Sequence, residues 1–99
     1  MRVRLLASAL NDLAGGRVFY EQQGEGLGDY FFDSVFADID SLTLYGGIHA
    51  MVFGFHRLLT HRYPYAVYYK MQAEGQVVVY RVLDCRQHPA RTKRALRPG

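Results

Sequence analysis

Between Arg57 and Arg86 the chain reads RLLTHRYPYAVYYKMQAEGQVVVYRVLDCR, and this stretch constrains the fold more than any other. Tyr65-Ala66-Val67-Tyr68-Tyr69-Lys70-Met71 and Val77-Val78-Val79-Tyr80-Arg81-Val82-Leu83 are rich in β-branched and aromatic residues, which suit a half-buried pleated surface. Ala73-Glu74-Gly75-Gln76 is a short Gly-containing link of the kind that closes a hairpin. Pro64 stands at the entrance to the first strand, where a missing N–H does least harm. Such a hairpin must bury a face, so the rest of the chain has to supply what packs on it.

Upstream, Arg2-Val3-Arg4-Leu5-Leu6 alternates polar and apolar like a short strand. Leu10, Leu13, Ala14 and Val18, with Tyr20 or Glu21, trace a helical stripe ending near Gln23, and Ser8 or Asn11 can cap it. Gly15-Gly16 lies inside this helix at a cost of about 1 kcal/mol per glycine relative to Ala, which predicts a bend or the close approach of another backbone. Gly24-Glu25-Gly26 stops the helix. A second begins near Leu27 or Gly28, with Asp29 in its first turn, and Phe32, Val35, Phe36, Ile39 and Leu42 form its apolar face. Asp33, Asp38 and Asp40 then point outward, and Tyr45-Gly46-Gly47 ends the helix. The short link makes the two helices antiparallel.

Met51-Val52-Phe53 and Phe55–Thr60 read as further strands, with Gly54 permitting a bulge between them. Beyond the hairpin, Ala90–Leu96 reads as a short helical turn in a tail of about residues 90–99, fraying at Arg97-Pro98-Gly99. The expected fold is α+β and two-layered: a helical hairpin on one face of a mainly antiparallel sheet of four or five strands, in the order β-α-α-β-β-β. One domain accounts for all 99 residues. The opposite face of the sheet is left for something else.

Charge is unevenly distributed. Met1–Ile48 carries Arg2, Arg4 and Arg17 against seven acids, whereas His49 onward carries nine Lys/Arg, four His and only Glu74 and Asp84 as acids. The net charge of +3 does not by itself declare a nucleic-acid binder, but the segregation predicts a positive side able to meet phosphate or an acidic protein segment. Cys85 is the only cysteine, which excludes an internal disulfide and suits a reducing compartment. The apolar run after Met1 breaks at Asn11-Asp12, too early for a signal peptide, and no run approaches the roughly 20 apolar residues of a membrane span. The expectation is a cytoplasmic protein with no membrane contact.

Three pieces then resemble one family: Gly26-Leu27-Gly28-Asp29 before an amphipathic helix, Arg62-Tyr63-Pro64-Tyr65-Ala66-Val67-Tyr68-Tyr69, and Val82-Leu83-Asp84-Cys85-Arg86-Gln87-His88-Pro89. In this order, from about Asn11 to Pro89, they resemble toxins of the RelE/ParE superfamily, the poison halves of bacterial type II toxin–antitoxin (plasmid stabilisation) modules. The resemblance implies a cognate antitoxin that wraps and neutralises the chain. It also implies one of two targets. ParE-like toxins poison DNA gyrase, and RelE-like toxins cut messenger RNA on the ribosome. Pro64-Tyr65-Ala66 opens its strand without the basic residue usual in the nuclease branch, and no Tyr follows Tyr80, so the ParE-like branch is favoured. A degenerate member that only binds antitoxin is a third alternative.

A metal-independent nuclease needs a general base, a general acid and cations for the developing phosphate charge. In the RelE-like reading Arg57, Arg62, Arg86 and His88 would supply these; in the ParE-like reading Arg57, Arg62, Arg81 and Arg86 would contact the target. If Val78, Tyr80 and Val82 face the helices, then Val77, Val79, Arg81 and Leu83 face away, and the arginines share the open side. Arg57 and Arg81 can equally be solvated or paired with Asp84 or Glu74. His61 and His88 are candidate acids or bases against a plainer reading as surface histidines. Tyr63, Tyr65, Tyr68 and Tyr69 are candidates for base stacking, Tyr69 more readily for the core. Cys85 reads as inert packing, and His49 and His56 fit no ligand spacing, so no metal or cofactor is expected. Phe31, Phe32, Phe36, Tyr45, Phe53 and Phe55 exceed what a small core holds. Phe31, Phe32, Phe36, Phe53 and Phe55 are therefore the expected antitoxin contacts.

Overall fold

The computed structural model describes Met1–Arg97; the last two residues of the expected tail, Pro98 and Gly99, lie outside the described residues. Strand β1 (Arg2–Leu5) leads into α1 (Ala7–Glu21) and α2 (Leu27–Asp40), followed by a single helical turn, α3 (Leu42–Tyr45). Strands β2 (Met51–Val52), β3 (Phe55–Leu59), β4 (Tyr65–Gln72) and β5 (Gln76–Asp84) follow, and α4 (Pro89–Ala95) closes the chain. The sheet order is β1-β5-β4-β3-β2. β1 runs parallel to β5 while every other pairing is antiparallel.

The helical hairpin seals one face. Its cluster joins Ala9 and Leu13 of α1 and Phe31, Val35 and Ile39 of α2 to Leu58, Tyr65, Val67, Tyr69, Val77, Val79 and Val82 of the sheet. Both helices are rotated from the expected positions. In α1 the buried residues are Ala9, Leu13 and Gly16, while Leu10 and Val18 are more than half exposed. In α2, Phe31 takes the place expected for Phe32, which is half-buried and stacks on Phe36 with ring centroids 5.7 Å apart. One fit explains both rotations. A Cβ on Gly16 would lie 2.5 Å from Cε2 of Phe31, so the missing side chain is the socket for that ring. The helix runs unbroken through both glycines, and the group approaching Gly16 is a ring rather than a backbone.

The helices also touch backbone to side chain at their turn. The Glu21 carboxylate accepts the N–H groups of Gly26 (3.1 Å) and Gly28 (2.9 Å), donors that an α-helix start leaves without partners. Those two bonds hold the Glu21 carboxyl below its ordinary value. A Cβ on Gly28 would stand 2.6 Å from the Arg17 carbonyl oxygen, so this position admits only glycine.

A bulge breaks the expected alternation of β5. Tyr68 pairs with Arg81 but Tyr69 pairs with Val79, leaving Tyr80 as an extra residue. Val77 and Val79 therefore join Val82 in the helix-side cluster, against expectation, and Tyr80 lies on the other side with Leu83. Arg81, opposite Tyr68, stays on that side as expected.

Nor is that second face bare. Phe55, Ala66, Tyr68 and Leu83 pack there against Leu96, and α4 lies over them with Thr92 buried. The tail is thus a helix: Pro89 begins it, and the His88 imidazole caps it by accepting the Ala90 N–H at 3.0 Å. Among the described residues no helix is long and apolar enough to cross a membrane.

Candidate target-binding face

The four arginines do not form one surface. Arg57 projects from β3 beside Tyr68, on the face partly covered by α4. Arg81 is on that face too, but its Nε and Nη2 bind the two carboxylate oxygens of Asp12 at 2.7 and 2.9 Å. Its Nη1 donates to the Ala95 carbonyl, so it pins α1 and α4 to the sheet. The same Asp12 accepts the Val82 N–H at 2.9 Å, capping β5 beyond the end of β1. Arg86 bonds Asp84 through Nε (3.0 Å) and Nη2 (2.7 Å), close to Tyr20 on the helix side. The pairing lowers the Asp84 carboxyl and raises the guanidinium. Arg62 sits in the β3–β4 loop and reaches the hydroxyl of Tyr30 on α2. The turn after β5 and the short β3–β4 loop turn these last two away from the sheet surface. His88 serves as the helix cap. Of the catalytic set, Arg57 lines a cleft on the second face, Arg62 reaches Tyr30, Arg86 pairs with Asp84 and His88 caps α4.

The aromatic residues also divide. Phe31 and Phe55 are buried, 0% and 6% exposed, which removes them as antitoxin contacts. Phe36 and Phe53 are exposed and Phe32 partly so. Tyr65 and Tyr69 belong to the helix-side core and Tyr68 to the smaller cluster, so none offers a free ring. Burial, ahead of the nearby Tyr20 and Asp84, pushes the Tyr65 hydroxyl up to about 12. It also raises the Tyr68 hydroxyl and the Cys85 thiol, partly offset by Arg57. A raised thiol is not the thiolate that a reactive cysteine requires.

Several contacts have no local signal in the sequence. Asp38, expected outward, is buried and accepts both the His61 N–H (3.0 Å) and its Nδ1–H (2.6 Å), tethering the β3–β4 loop to α2. The buried Tyr69 hydroxyl takes the Gly47 N–H at 2.9 Å and meets His49 Nδ1 at 2.5 Å. His56 stacks on the Tyr69 ring and donates from Nδ1 to the His49 carbonyl. No group of three metal-ligating side chains occurs among the described residues.

Charge completes the picture. Among the described residues Arg17, Arg81 and Arg86 are in ion pairs with carboxylates. Apart from Arg62, the unpaired cations gather on the second face or on α4, which covers it. Arg2 and Arg4 alternate away from the inward Val3 and Leu5, Arg57 and Lys70 stand on β3 and β4, and Arg91, Lys93, Arg94 and Arg97 line α4 and its end. The exposed Glu25, Asp29, Asp33 and Asp40 lie on or beside α2, in the helical layer. The molecule is therefore electrically two-sided, with clefts on its positive side. Arg57, Tyr68, Cys85 and Gln87 line one of about 180 Å³.

A five-stranded mixed sheet with a helical hairpin on one face is the two-layered α+β architecture expected from the sequence. No family model matches the chain, and no curated protein matches it. Among solved structures, a chain of the "Chromosomal ParDE TA system from P. aeruginosa" superposes with a TM-score of 0.73 at 16% identity, over 83% of this chain and 92% of that one. The two share a fold.

Proposed function

We propose that the chain is the toxin of a type II toxin–antitoxin module, held inactive by a cognate antitoxin and inhibiting growth in the ParE manner by binding DNA gyrase. The observation that carries this reading is the fold shared with a ParDE system chain over most of both lengths. The electrically two-sided surface supports it, since the positive face offers Arg57 and neighbouring cations to a macromolecular target. Phe32 and Phe36 on α2, with the exposed Leu10, Val18 and Phe19 of α1, give an antitoxin an apolar surface on the opposite layer. The RelE-like nuclease is disfavoured because Arg62, Arg86 and His88 are already engaged with Tyr30, Asp84 and the Ala90 N–H. Induction of the chain without its antitoxin tests the proposal. Cleaved or relaxed plasmid with intact messages is expected; discrete cuts within translated codons would instead select the nuclease, and unimpaired growth the degenerate member. Arg57→Ala is expected to abolish growth inhibition while the antitoxin still co-purifies, because the two surfaces lie on opposite layers.

A further inference from the structure

A cleft of about 570 Å³ opens on the second face between β3–β5 and the end of α4. Its walls include Phe53, Phe55, Lys70, Tyr80, Arg81 and Arg97, and among the described residues no carboxylate lines it. We propose that this cleft binds a nucleotide, with the base against Phe53 and Tyr80 and the phosphate on Lys70 and Arg97. The inference does not depend on which toxin target is correct.

Features of different kinds converge on the same space. The β5 bulge sends both Tyr80 and Arg81 to this face, where regular alternation would send only one. Bulges recur where a side chain has to be re-aimed at a site. The bulge is fixed on one side by Ser8 Oγ, which donates to the Tyr80 carbonyl at 2.6 Å, and on the other by the Asp12–Arg81 pair. Phe53, a bulky residue 45% exposed, is held at φ +53° and lines the cleft. Its left-handed φ, with that of Gly54 (+84°), forms the two-residue turn joining β2 to β3, and this turn presents the side chain to the cleft. Lys70 Nζ stands 4.6 Å from the Phe55 ring centroid and 5.5 Å from that of Tyr80. These rings hold the ammonium in place, and no carboxylate competes for it among the described residues.

Aromatic faces beside unpaired cations match a planar base carrying an anionic phosphate, and the volume falls within the range of small-molecule sites. An inorganic anion would have no use for the rings, and an apolar ligand none for Lys70 and Arg97. The same chemistry is presented by a free nucleotide and by one nucleotide of a single strand.

Fluorescence anisotropy of the full chain with N-methylanthraniloyl-ADP and with a short fluorescein-labelled oligothymidylate tests the site and separates these sources. At least one probe is expected to bind, with affinity falling about tenfold in Lys70→Gln and again in Phe53→Gly. Phe53→Gly relieves the positive φ, so it is expected to melt no lower than the unaltered protein, which separates loss of the ring from loss of the fold. Arg91→Gln removes the same charge from α4 outside the cleft and should weaken binding by less than about twofold. Displacement of the oligonucleotide by unlabelled ADP identifies a free nucleotide as sufficient; retention identifies a strand. The site is overturned if neither probe binds at millimolar concentration, if Arg91→Gln weakens binding as much as Lys70→Gln, or if inorganic phosphate competes as well as ADP.

Discussion

The two faces of the sheet are built from alternate residues of the same strands, yet they differ in kind. On the helix side Phe31, Tyr20, Tyr63 and Tyr65 interlock, with Phe31 at ring-centroid distances of about 5 Å from the other three. Gly16 and Gly28 let the helices close over them. On the second side a smaller cluster holds down α4, and clefts lined by aromatic and basic residues remain beside it. One face is closed over by the helices, with its side chains buried, and so determines the fold. The other was left incompletely covered and cationic, which is the condition for receiving a partner.

The largest test of that contrast is to delete one anchor from each side. Phe31→Ala should cost about 3–5 kcal/mol in urea unfolding, since its ring touches both helices and the sheet. Leu96→Ala should cost about 2 kcal/mol or less, because α4 can detach locally while the helix-side core stays closed. Equal losses would mean that the second cluster shares fully in the global core.

A finer test uses the adjacent glycines of α1. Gly16→Ala brings a Cβ against the Phe31 ring, and this overpacking should outweigh the gain in helix propensity, for a net loss of about 1–2 kcal/mol. Gly15→Ala meets nothing within 4 Å and should stabilise by about 0.5–1 kcal/mol. Melting temperatures of the two variants should therefore move in opposite directions.

The smallest effect is one of pH, at the loop leading to the edge strand β2. Burial, and then His56, lowers the His49 imidazole below its usual 6.5. The unfolded chain consequently binds a proton before the folded one does. Stability from this site is complete above about pH 6.5 and is lost as pH falls from there towards the folded value. Physically, the Tyr69 hydroxyl donates to neutral His49 Nδ1, and a protonated Nδ1 no longer accepts it. His49→Gln should flatten the stability profile between about pH 7 and 5 in chemical denaturation, leaving the acid losses from Asp84 and Glu21. An unchanged slope would place the titration elsewhere.

Much of the fold was legible. The runs Tyr65–Met71 and Val77–Leu83 are strands, the short turn between them forms a hairpin, and Val35, Ile39 and Leu42 are buried where the three-and-four spacing put them. The candidate site was less so. Arg57 and Arg81 are on the second face, but Arg62 and Arg86 are not, because they leave from loops where strand alternation has no authority. Lys70 was readable from alternation with Tyr68; its partner Tyr80 was hidden by the bulge.

Periodicity and composition alone determined which segments are helix and which are strand, and that positive charge gathers in the second half of the chain. These are local properties: propensity and spacing act over a few residues and survive in any context. Only the tertiary structure decided how far each helix rotates, which valines of β5 turn inward and which cations remain unpaired. Each of those depends on contacts between distant residues, Phe31 with Gly16 and Arg81 with Asp12, whose complementarity exists only once the layers have met.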